Sequence, residues 1–124
     1  MKNIFISFML VSFFLISCKK NETEPPVVTI LSPAVNDSFY VADSVKVSFT
    51  VSDKNLSAYK IIIFNFYTRT ILFKEETAPT PSDVSIEKRV FINTDADTSV
   101  YINVLGIDKN GNTGSAGVLF KLKK

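Results

Sequence analysis

The 124-residue chain has no histidine and no tryptophan, and its only cysteine is Cys18. Each absence removes a class of chemistry. Without imidazole there is no ordinary general base near neutral pH and no nitrogen ligand for a transition metal. Without a second cysteine no disulfide can brace the domain, so stability must come from packing. No thiol nucleophile exists apart from Cys18. A marked excess of charge is also missing, since 14 Lys and Arg stand against 12 Asp and Glu. Nucleic-acid partners need clustered cations that displace counterions, and this balance argues against them.

What is present begins with a leader. Lys2 is followed by an almost unbroken apolar run from Ile4 to Ile16. That is the length of a signal-peptide core and short for a bilayer span. Leu15-Ile16-Ser17-Cys18 resembles the lipobox of bacterial lipoproteins. The resemblance implies that residues 1–17 are cleaved and that Cys18 is lipidated, anchoring the chain to a membrane. The alternative is an ordinary secretory leader with an incidental cysteine. The mature chain would have 107 residues, enough for one small domain. Residues 18–26 read as the lipidated cysteine and a polar tether, KKNETEPP, that ends in two prolines. Eight extended residues reach at most roughly 26 Å. Lys19 and Lys20 lie either beside anionic headgroups or in a solvated stub.

From Val27 onward the period is two. Val45, Val47, Phe49 and Val51 alternate with Lys46, Ser48, Thr50 and Ser52, as in a half-buried antiparallel strand. Strands are expected near 27–31, 45–52, 58–66, 70–75, 84–92, 99–107 and 115–123, with a short edge piece at 38–41. The breaks carry turn chemistry: Ser32-Pro33, Asp53-Lys54-Asn55, Ala78-Pro79-Thr80-Pro81 and Asn110-Gly111. About seven short strands without helical spacing predict an all-β, two-sheet sandwich over residues 27–124.

Three segments carry a family resemblance. VVTILSP opens the first strand, and the second runs into Val51-Ser52-Asp53. Leu56-Ser57-Ala58-Tyr59-Lys60-Ile61 starts the third. The run from Val100 to Asn112 resembles strand F and the F–G turn of bacterial immunoglobulin-like domains. With its leader, the chain resembles the small immunoglobulin-like lipoproteins of Bacteroidota envelopes, a family largely of unknown function. The resemblance implies an antiparallel immunoglobulin-like sandwich held in the bacterial envelope. It implies the outer membrane, facing either the periplasm or the surface. Such lipoproteins often carry histidines after the start of strand C. Here Ile62, Phe64, Asn65 and Phe66 stand there, so no histidine-based metal role carries over.

Candidate chemistry is sparse. Counted from Asp108, an EF-hand would need Gly at the sixth position and Glu at the twelfth, but Thr113 and Leu119 stand there. Asn110-Gly111 reads instead as the turn of a hairpin. Asp37, Asp43, Asp53, Asp95 and Asp97 read as solvated loop acids, and a calcium site would require them to converge at one end of the sandwich. The missing catalytic parts argue against an enzyme, and no cofactor is implied.

The distinctive feature is an apolar surplus on one sheet. If Val100, Ile102, Val104 and Gly106 point inward, Tyr101, Leu105 and Ile107 point out, because successive side chains alternate. If Tyr59, Ile61 and Ile63 point inward, Ile62, Phe64 and Phe66 point out beside Lys60. With Leu119 from strand G, these form an outward face on neighbouring strands C, F and G. Three readings of it are open. It is a protein–protein face, serving a homodimer or an envelope protein partner. It is a glycan platform, with Phe66, Tyr67 and Tyr101 stacking and Asn65 and Asn103 hydrogen-bonding, although tryptophan is missing. Or segment 76–83 covers it, or the strand-C facing is one residue out, which would exchange the faces.

Overall fold

The computed structural model describes residues 23–78 and 82–124; the expected leader, Cys18 and most of the tether lie outside the described residues. Eight strands follow in order: β1 Val27–Ser32, β2 Ser38–Tyr40, β3 Val45–Ser52, β4 Leu56–Asn65, β5 Ile71–Thr77, β6 Asp83–Val90, β7 Thr98–Asp108 and β8 Thr113–Lys123. They form a three-stranded sheet, β1-β3-β6, and a five-stranded sheet, β2-β8-β7-β4-β5. The molecule is an immunoglobulin-like β-sandwich. No helix among the described residues is long and apolar enough to cross a membrane.

Period-two patterning builds the core directly. Val45, Val47, Phe49 and Val51 of β3 are buried against Tyr59, Ile61 and Ile63 of β4, Val100, Ile102 and Val104 of β7, and Phe120 and Leu122 of β8. Fully burying one such side chain contributes about 1.5–3 kcal/mol. Aromatic edges add to it: Phe49 meets Tyr59 across the two sheets with centroids 5.5 Å apart, and Phe39 meets Phe120 within the five-stranded sheet at 5.8 Å.

Three differences from the sequence expectation have physical causes. Strand β4 starts at Leu56, because a bulge between Leu56 and Ala58 lets Leu56 enter the core and still pair with Asp108. Strand β6 ends at Val90; Phe91 is 77 % exposed, yet Ile92 beyond it is buried. Pro26, expected at the end of a tether, is buried in the sandwich. Opposed Gly106 and Gly114 on the inner side of β7 and β8 make the room. A methyl at Gly106 would lie 2.6 Å from Val51 Cγ1 and 2.8 Å from Pro26 Cβ, and one at Gly114 would overlap the Pro26 carbonyl. Glycine inside a strand here marks a close approach of another chain segment.

The strand division has a local cause. In the constant-type immunoglobulin arrangement the sheets hold four and three strands. Here β5 stays beside β4 because a five-residue turn closes them into a hairpin. Asn65 organises that turn. Its Oδ1 accepts from the backbone N–H groups of Tyr67 (2.9 Å) and Thr68 (3.0 Å), and its Nδ2 donates to Thr98 Oγ1 (3.1 Å). Arg69 takes a φ of 63° to finish the turn, and its N–H donates to the Asn65 carbonyl.

Candidate interaction face

Burial settles the facing. Tyr59, Ile61, Ile63, Val100, Ile102 and Val104 are all buried, so their neighbours point outward. There is no one-residue slip in β4. The described flanks of segment 76–83 leave this face, with Thr77 closing β5 and Asp83 opening β6 in the other sheet; residues 79–81 lie outside the described residues.

The register arranges the outward residues in rows across β5, β4, β7 and β8. The first row is Ile71, Phe64, Tyr101 and Leu119. The second is Lys74, Ile62, Asn103 and Gly117, and the third is Glu76, Lys60, Leu105 and Ser115. Ala58, Ile107 and Thr113 form the fourth. Phe66 lies just past the end of β4, where its N–H donates to the Ser99 carbonyl. The structure therefore brings Ile62, Phe64, Phe66, Tyr101, Leu105, Ile107 and Leu119 to one side of one sheet.

These side chains partly cover one another. Phe64 and Tyr101 pack with centroids 5.4 Å apart, and the Tyr101 ring lies across Gly117, where any Cβ would overlap it. Six of the seven are consequently half-buried, and Phe66 is 37 % exposed. The Arg69 guanidinium sits over both Phe64 (5.6 Å) and Phe66 (5.4 Å). Cation–π contacts of this kind contribute about 0.5–1 kcal/mol at exposed sites.

Tyr67 is 73 % exposed and stands edge-on to Phe66 at 5.5 Å. It borders a shallow groove of about 240 Å³ with Asp97, Thr98, Ser99 and residues 121–123. The amide of Asn65 is committed to the turn, so of the two asparagines proposed for sugar contacts only Asn103 stands on the face.

The acids do not act together. No group of three or more Asp and Glu able to hold a metal occurs among the described residues. Asp37 accepts from the Ala34 N–H, Asp53 from the Asn55 N–H and Asp97 from the Lys124 N–H. Asp108 is buried and closes the β7–β8 turn, in which Gly111 has a φ of 84°. Burial pushes its carboxyl up, but hydrogen bonds from the Asn112 side chain and the backbone of Asn112, Asn110 and Gly111 outweigh burial and hold it below the ordinary value.

No protein-family model and no curated protein matches the chain. Solved structures do resemble it. A fibronectin(III)-like module structure of Clostridium thermocellum CbhA aligns with a TM-score of 0.52 at 19 % identity, covering 78 % of this chain and 96 % of that one. The Salmonella enterica SafA pilin–SafB chaperone structure aligns at 0.56 and 9 % identity, covering 82 % of this chain and 56 % of the other. Superoxide reductase (neelaredoxin) from Ignicoccus hospitalis aligns at 0.51 and 10 % identity, covering 81 % of each. At such identities the likeness shows the fold alone, which fibronectin(III)-like modules, a pilin–chaperone complex and a superoxide reductase share.

Proposed function

We propose that this chain is a non-catalytic, membrane-anchored lipoprotein of the bacterial envelope that acts as a binding or structural module. Cys18 carries the lipid, and the outer face of the five-stranded sheet meets a protein. The observation that carries the reading is the set of apolar rows through Phe64–Tyr101–Leu119, Ile62, Leu105 and Ile107. Sheet faces turned to water usually alternate to polar residues, as β3 does with Lys46, Ser48, Thr50 and Ser52. The aliphatic flatness of the rows favours a protein over a glycan, and Asn65 is already engaged.

Two measurements test this. Metabolic labelling with a fatty-acid analogue should mark the full chain and fail on Cys18→Ser; labelling that persists removes the anchor. Light scattering and circular dichroism melts on residues 19–124, whose described part contains a closed core, should give the oligomeric state and show a cooperatively folded protein for wild type and for Phe64→Lys. An unfolded Phe64→Lys would make the face part of the core and sink the interface reading.

A further inference from the structure

We infer that the outer face of the five-stranded sheet docks an acidic protein segment and not a second copy of this chain; this rests on reading that face as an interface. The argument is the distribution of charge. The outward strand positions of the sheet carry Lys60, Lys74, Lys121 and Lys123, and the β4–β5 turn adds Arg69. Glu76, opposite Lys60, is the only outward acid on its described strands. The other sheet differs. Its outward positions carry Lys46 and Arg89 with Asp83 and Glu87, and Lys46 pairs with Glu87 at 3.3 Å. The positive excess belongs to one face.

That excess is available. The ion pairs among the described residues are Lys46–Glu87 and Lys88–Glu75, and neither uses a rim cation. Arg69 is held at the edge of the apolar rows by the Phe64 and Phe66 rings. Two copies stacked through this face would set five cations against five, which complementary interfaces avoid. A partner with apolar residues alternating with Asp or Glu satisfies both features: the rows bury its apolar positions and the rim meets its carboxylates. A bilayer fits less well, because surface-bound elements push apolar groups several Å into the headgroup boundary. Here the central side chains lie half-buried against one another.

The test uses residues 19–124 and two synthetic peptides, one alternating leucine with glutamate and one alternating leucine with lysine. The glutamate peptide should shift backbone amide resonances at residues 60–64, 101–107 and 117–119; the lysine peptide should not. Lys60→Glu with Lys74→Glu should weaken that binding about tenfold, and added salt should weaken it further. Lys46→Glu with Arg89→Glu on the opposite sheet should change nothing. Equal binding of both peptides, or of neither, overturns the acidic partner. So does a wild-type dimer that Phe64→Lys dissolves, although that result keeps the interface. Sedimentation with anionic vesicles that the rim variants abolish would assign the face to lipid instead. Shifts confined to another surface would overturn both this inference and the reading beneath it.

Discussion

Asp108 shows how a residue can look like a ligand and serve as a clamp. Its carboxylate is the acceptor around which the β7–β8 turn closes, taking 2.8 Å bonds from the Asn110 and Asn112 N–H groups and 2.7 Å from Asn112 Nδ2. Because its folded pKa is lowered, the stability it contributes is fully present above the unfolded carboxylate value, about 4. It is lost as pH falls through the folded value. The melting temperature should thus be flat from neutral pH down to the mid-4 range and drop below it, and Asp108→Asn should flatten that drop while lowering the plateau. Two glycines test packing at the same scale. Gly114→Ala must displace the backbone of Pro26 and should cost about 1–3 kcal/mol in urea unfolding. Gly117→Ala meets only the Tyr101 ring, which can swing outward, and should cost less than about 1 kcal/mol. Alternation placed Gly106 on the inward side, but nothing local says that Pro26 packs against it and against Gly114.

At the scale of elements, alternation made the strands legible. Once β3 is placed by Val45, Val47, Phe49 and Val51, a buried face excludes any other register, and the facing of β4 and β7 follows in the same way. What alternation does not encode is a bulge, which is why the start of β4 differs from its expected position by two residues. The β4–β5 turn was legible only as a break. Its dependence on Asn65 is a three-dimensional fact, because Thr98, one of the bonded partners, lies 33 residues away. Asn65→Ala should cost about 1–2 kcal/mol in chemical denaturation, from three lost hydrogen bonds on a half-buried group. Breaking Lys88–Glu75 should cost under about 1 kcal/mol, since both side chains remain about a third exposed.

For the whole molecule, Pro26 fixes the end at which the chain enters the sandwich, and with it the end that a lipid on Cys18 would hold nearest a membrane. It docks beside Gly106 and Gly114, at the end that holds the 53–55 and 109–112 turns. Strand β7, with 11 residues, spans roughly 36 Å to the other end, where Tyr67, Phe91 and the C-terminus lie. A lipid on Cys18 would leave only the seven residues 19–25 before Pro26. A fluorophore at residue 110 should then be quenched by a probe at headgroup depth in vesicles carrying the lipidated chain, and one at residue 67 should not. The reverse order would mean that the domain lies the other way up.

The amino-acid sequence by itself determined the class of fold, the period-two alternation of its strands, and which reactive side chains are absent. Those properties are local: they follow from a period of two and from which side chains exist at all. Tertiary structure alone decided that Pro26 enters the core, that Asn65 also reaches Thr98, and that the cations share one sheet face with the apolar rows. Each of these depends on residues far apart in sequence meeting across strands, and no local pattern records which distant segment arrives.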